Sequence, residues 1–258
     1  MSVDHTDLSA TAPQRRALLL HIILRLPAQA GIDTPAAREI RQEGMQALTR
    51  VLQSHGALVL QHSSDRLTAL WDWGDCTAED VDLTAPAEMS EVLPHLTPGT
   101  DLAALPCSAK VRRTLEHRFA DPMFQNVVHR ALDGLQSASD TLQKLNYQRY
   151  GNGQSGWLER LHLTQPVQAQ MAMCHGKVFM TQHQPTGLSF KLVSDMAELA
   201  SPGSVVCGPV LMRAIAELEN ESHADAPPHT HTAEYLQVRG LGQTTEVRAN
   251  MWQLKWHH

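Results

Sequence analysis

The chain alternates between two apolar rhythms, and each predicts its own kind of element. Ala17 to Leu26 form a short apolar run closed by Pro27, the pattern of a buried strand. Ala37, Ile40, Gly44, Leu48, Val51 and Leu52 then recur at steps of three and four, which predicts a helix. Thr34 is placed to cap that helix, Pro35 suits its first position, and Gly56 can close it in a left-handed conformation. Ala57 to Gln61 and Arg66 to Trp71 flank the polar His62-Ser63-Ser64-Asp65, a hairpin pattern. Trp71 and Trp73 stand two apart and so share a strand face, as core or subunit-interface aromatics.

From residue 74 to about 120 the texture changes to Pro, Asp, Glu and Thr, which reads as an insertion with one short helix near Ser108 to Arg118. Asp121-Pro122 opens a long helix with the stripe Phe124, Val127, Val128, Ala131, Leu132, Leu135, Ala138, Leu142 and Leu145, ended by Gly151 to Gly156. Val167 to Cys174 and Val178 to Thr181 are predicted as two strands joined at His175-Gly176-Lys177. A helix (Ser189 to Leu199), a strand (Val205-Val206), a helix (Pro209 to Glu219), a polar loop at Pro227-Pro228 and a strand pair (Tyr235 to Arg239, Glu246 to Trp256) complete the order. Hairpins recur and strands outnumber helices, so an α+β sheet with helices on one face is expected rather than a doubly wound sheet. Residues 1–14 read as a mobile tail and 15–256 as one domain.

Composition narrows the functions. The 258 residues carry 21 Lys+Arg against 27 Asp+Glu, a net charge of −6, which argues against a grip on nucleic acid by phosphate neutralisation. The longest apolar stretch, Ala17 to Leu24, is broken by His21 and falls short of the ~20 residues a membrane span needs. The polar start of the chain does not read as a signal peptide. Cys76, Cys107, Cys174 and Cys207 form no CxxC pair, so reduced thiols in a cytoplasmic protein are expected.

The order of elements and a colinear series of short motifs resemble the class III nucleotidyl cyclase homology domain. Leu18-Leu19-Leu20-His21-Ile22-Ile23 resembles the family's opening strand, which ends in Asp-Ile. Ser64-Asp65-Arg66-Leu67-Thr68-Ala69-Leu70-Trp71 resembles its Gly-Asp hairpin. Met173-Cys174-His175-Gly176-Lys177-Val178 is similar to its Ile-His-Thr-Gly-Glu-Val segment, and Leu199-Ala200-Ser201-Pro202-Gly203-Ser204-Val205-Val206 to its Leu-Ala-Lys-Pro-Gly-Ser-Ile-Val segment. Val238-Arg239-Gly240 followed by Glu246-Val247 resembles the closing hairpin. The resemblance covers about residues 15–75 and 120–256 and implies a ferredoxin-like βαββαβ core, with the insertion after its second and third strands, usually paired head to tail.

It also implies a chemistry that this chain does not match. Family members hold two divalent ions, Mg²⁺ or Mn²⁺, on two aspartates, to activate the ribose 3′-hydroxyl and neutralise the triphosphate. The first aspartate falls on His21 and the second on Asp65. The base-reading Lys falls on Gln61, the ribose-orienting Asn on Lys191 and the transition-state Arg on Asp195, where a negative charge opposes the reaction. Phe190 to Met196 contains neither Asn nor Arg, so no slip in alignment restores them. No catalytic residue is therefore expected. His21 reads either as a hydrogen-bonded core histidine or, with Asp65, as a soft-metal or pH-responsive site; Asp65 alternatively stabilises its turn.

Other motifs carry less. Gly151 to Gly156 matches GxGxxG, but a helix precedes it and a strand follows, the reverse of a dinucleotide site. His223, His229 and His231 complete no zinc spacing. Met171, Met173 and Met180 read as core filler. The expected function is a catalytically silent cyclase-like domain, dimeric with itself or another cyclase-like chain, that regulates or scaffolds signalling through a protein partner on the insertion. The alternatives are a sensor of a nucleotide or other small ligand, and a residual ATP or GTP cyclase that needs a partner subunit. The silent readings need no cofactor; the residual cyclase needs Mg²⁺ or Mn²⁺.

Overall fold

The structure, a computed structural model, describes residues 13–76, 95–96, 100–147, 155–181, 185–222, 232–239 and 246–255. The GxGxxG loop (apart from its last two residues), the three loop histidines and most of the insertion's first half lie outside the described residues. Strand β1 (Gln14–Arg25) leads into α1 (Pro35–Ser54), then the hairpin β2 (Leu58–Gln61) and β3 (Arg66–Asp75). Helices α2 (Ala109–Phe119) and α3 (Pro122–Tyr147) follow, then a single turn α4 (Trp157–Arg160) and the long strand β4 (Gln168–Met180). The chain continues through β5 (Pro185–Thr186), α5 (Leu188–Leu199), β6 (Ser204–Cys207), α6 (Pro209–Ser222), β7 (Thr232–Arg239) and β8 (Glu246–Lys255).

The sheet runs β2-β3-β1-β4-β6-β8-β7, with β5 beside β4. Its first four strands, all antiparallel, carry the ferredoxin-like order, and β6 extends it parallel to β4. Local chemistry accounts for the ends of α1: Thr34 Oγ1 accepts from the Ala37 N–H at 3.1 Å, and Gly56 takes φ 77° just beyond the helix. Asn146 fastens the end of α3 to the start of β4. Its amide donates to the Val167 carbonyl and accepts from the Val167 N–H, both at 2.9 Å.

Two sequence expectations need correction. The segments Val167 to Cys174 and Val178 to Thr181 are one strand, not two. Pairing with β1 runs unbroken from Gln14↔Phe179 to Arg25↔Gln168, and it carries His175-Gly176-Lys177 straight through the ladder. Turn-forming residues lose here to twelve cross-strand pairs. The helices also do not all lie on one face. Leu18, Leu20, Ile22 and Leu24 of β1 pack under α1, α3 and α6, whereas Ala17, Leu19 and Ile23 point the other way and are covered by Val193, Met196 and Ala197 of α5.

Trp71 and Trp73 are buried in the larger cluster beside Phe124, as the core reading expected. Met171 and Met173 are in the same cluster, and Met180 packs against the smaller one. The second half of the insertion is not loose: Leu96, Leu105, Val111 and Leu115 form a third cluster with Val210 of α6.

Candidate functional site

The site begins with strand alternation. On β1, His21, Ile23 and Arg25 follow Leu19 on the α5 face. Across the β1–β3 ladder, Thr68 lies opposite His21 and Arg66 opposite Ile23. Across β1–β4, Ala172 lies opposite His21 and Gln170 opposite Ile23. Directly paired residues share a face, so two charged side chains, a histidine, a hydroxyl and an amide gather where β1 ends, under the C-terminal turn of α5.

His21 is buried, and its Nδ1 sits 2.8 Å from Thr68 Oγ1. His62 Nε2 approaches the same oxygen at 2.7 Å, with ring centroids 5.7 Å apart. One hydroxyl has a single proton, so it donates to at most one ring, and at least one ring donates to it. Burial pushes His21 down to about 4, aided by the charges of His62 and Arg66 and opposed by Glu198. Burial also lowers His62. His21 is thus a neutral ring at ordinary pH, and its Nε2 is buried with no hydrogen-bond partner among the described residues.

Asp65 is placed elsewhere. Its carbonyl accepts from the Leu24 N–H at 2.8 Å, and its carboxylate accepts from the Ser63 hydroxyl at 2.7 Å. Gln61 is exposed and donates to the Ser63 carbonyl at 3.0 Å. These three residues knit the β2–β3 turn. Asp65, in the turn just before β3, stands three residues from Thr68, roughly 10 Å at the usual strand rise. The structure therefore does not bring His21 and Asp65 together. On α5, Lys191 donates to Asp195 at 2.7 Å across one helical turn, in an ion pair partly open to solvent.

The ions that the resemblance implies would need several oxygen ligands. This strand end offers two imidazoles and a hydroxyl already shared between them. The nearby carboxylate of Glu198 is held by Arg25 at 2.7 Å and Arg66 at 2.6 Å. That donor set does not suit Mg²⁺ or Mn²⁺. Among the described residues, no group of three or more His, Cys, Asp or Glu side chains is placed to share a metal ion.

Sequence reasoning missed Thr68, His62, Arg25, Arg66 and Glu198. A lone polar residue at position 68 of an apolar strand was the available signal, but only the register shows that it faces His21. A separate cleft of about 460 Å³ opens on the opposite sheet face, between Leu142, Met171 and Val205. Its buried Asn146 is already spent on Val167. No helix among the described residues is long and apolar enough to cross a membrane.

No protein-family description matches the sequence, and no curated protein matches it significantly. Solved structures do share its shape. The guanylyl cyclase Cya2 superposes with a TM-score of 0.53 at 12% identity, over 94% of this chain and 93% of its own. An adenylate/guanylate cyclase/hydrolase from Silicibacter pomeroyi gives 0.53 at 8% identity, over 96% and 100%. The adenylyl cyclase CyaB from P. aeruginosa gives 0.50 at 8%, over 95% and 96%. At such identities the likeness is one of fold, and the chain has the fold of the class III adenylate and guanylate cyclase domain.

Proposed function

We propose that this chain is a catalytically silent nucleotidyl-cyclase-like domain. It acts in the cytoplasm as a regulatory or protein-interaction module of intracellular signalling, paired with a second copy or with another cyclase-like chain. It needs no Mg²⁺ or Mn²⁺ cofactor for this role. The supporting observation is the state of His21. Where the resemblance places the first metal-binding carboxylate, the chain has a buried imidazole tied to Thr68 at 2.8 Å. An anionic oxygen ligand has been exchanged for a neutral nitrogen, which removes the charge that would hold a hard cation. The Lys191–Asp195 pair supports the same reading, because each residue neutralises the other at the positions that orient ribose and stabilise the transition state in the family.

The partner surface in this reading is the insertion, since long insertions on a compact scaffold often carry function. Its second half packs into the fold through Leu96, Leu105, Val111 and Leu115, so removing all of 76–118 would strip the core. Replacing residues 77–94 with a Gly/Ser linker of equal length is the cleaner test. The expected result is a protein with unchanged thermal stability that no longer co-purifies its partner from the native host. Retention of the same partner by the linker variant would contradict the assignment.

A further inference from the structure

The interaction reading makes no use of the cleft of about 460 Å³ on the sheet face opposite His21. Ser139, Leu142, Gln143, Asn146 and Tyr147 stand at steps of three and four along α3 and form one wall. Ala169 and Met171 of β4 and Val205 of β6 form the floor. Met171 and Val205 are directly paired in the parallel ladder, so their side chains share this face. The turn before β6 adds Pro202 and Gly203 to the lining.

The walls are fixed. Asn146 joins α3 to β4 through its two hydrogen bonds to Val167 at 2.9 Å, and the Gly203 N–H donates to the Ala169 carbonyl at 2.7 Å. A cleft braced this way exists before any ligand arrives, so little has to be ordered on binding. The lining is also chemically uniform in one respect. In a chain where 19% of the residues are charged, no described residue of the lining carries a charge at neutral pH. Leu142, Met171 and Val205 belong to the main core and give the floor an apolar surface. Half-buried Ser139 and exposed Gln143 and Gln168 bring a hydroxyl and two carboxamides, which both donate and accept. Tyr147 adds an aromatic ring that is 60% exposed.

We propose that this cleft binds an uncharged amphiphilic small molecule. Its aromatic or branched apolar body lies on Leu142, Met171 and Val205, and a carbonyl, amide or hydroxyl group meets Ser139, Gln143 or Gln168. The volume falls within the roughly 300–1,000 Å³ of small-ligand pockets. An ionised group is disfavoured there, because burying a charge without a counter-charge is costly. That argues against carboxylates, phosphates and nucleotides as occupants. The site lies on the face opposite His21, so it is separate from the positions where the family resemblance places catalysis.

The test compares two naphthalene dyes on the full chain. Prodan is neutral and anilinonaphthalene sulfonate is anionic, and the emission of both responds to apolar surroundings. Titrations are run at about 0.15 M salt, where the net charge of −6 is screened beyond about 8 Å. Prodan is expected to saturate at one site per chain with blue-shifted emission, and the sulfonate to bind at least about tenfold more weakly. Ser139→Phe narrows the cleft and should weaken prodan at least about tenfold. Gln143→Trp, on the exposed side of α3, is a second block and should give the same loss. Ser139→Lys adds a cation to the wall and should strengthen the sulfonate about tenfold over wild type. Melting curves confirm that each variant is folded. Absence of saturable prodan binding to wild type would overturn the proposal. So would prodan binding that Ser139→Phe and Gln143→Trp both leave unchanged, or sulfonate binding as tight as that of prodan. The readout involves neither turnover nor a protein partner, so its failure is distinct from any failure of the silent-domain reading.

Discussion

Between pH 6.5 and pH 4 the folded protein should lose about 3 kcal/mol of stability through His21 alone. The ring is buried, and its folded value is pushed down to about 4 from an ordinary 6.5. Every tenfold difference in proton affinity between the folded and unfolded chain is worth about 1.4 kcal/mol. Above pH 6.5 both states leave the ring neutral, so the stability is fully present. As pH falls below 6.5 the unfolded chain takes up a proton and the folded chain refuses it until about pH 4, so unfolding gains. His62, Arg66 and Glu198 are the charged or titratable groups that act on the ring. His175 adds to the same trend: it is buried and held well below its ordinary value by burial and by Arg118. Denaturation midpoints measured from pH 7.5 to 4 check this, with His21→Leu as the comparison. The variant should show a shallower decline, by about 3 kcal/mol over that interval. Parallel curves would contradict the assignment.

Trp71→Ala should cost about 3–5 kcal/mol, a large share of the roughly 5–15 kcal/mol that usually separates folded from unfolded states. The ring is 1% exposed at the centre of the main core, and its Nε1–H donates to the His55 carbonyl at 2.9 Å. It also closes against α3, where a Cβ on Gly134 would meet its Cζ2 at 3.3 Å. Trp71→Phe keeps most of the apolar burial. The His55 carbonyl remains paired in that variant, since Arg130 also reaches it at 3.3 Å. Phe should therefore cost well under half of what Ala costs, as read from urea melts. An equal loss in the two variants would shift the weight from packing to the hydrogen bond.

The larger helices and the hairpin were legible because periodicity, capping residues and turn residues agree with one another there. Thr34, Pro35 and Gly56 bracket α1 as their chemistry demands. The misreadings share a cause: local pattern carries no information about pairing. Gly176 reads as a turn until Ala17 is found opposite it, inside a twelve-residue ladder. The stripe of α5 shows which side of the helix is buried but not which face of the sheet buries it. The four residues of α4 are too few to show a period, although Trp157 anchors them by donating to Glu43 at 2.8 Å. The site was legible only in part. His21 and Asp65 stood out through the family resemblance, but the neighbours that His21 contacts depend on register. The Arg25–Glu198 contact joins residues 173 positions apart.

Turnover tests the central claim most directly. Purified protein is incubated with ATP or GTP and with Mg²⁺ or Mn²⁺, and cyclic nucleotide is measured against a blank without protein. On the silent-domain reading the expected result is no product with either nucleotide or either ion, because the resemblance places His21 where the family has a carboxylate and Asp195 where it has a cation. Cyclic product that disappears on Asp65→Ala would contradict the silent-domain reading and make this chain an enzyme.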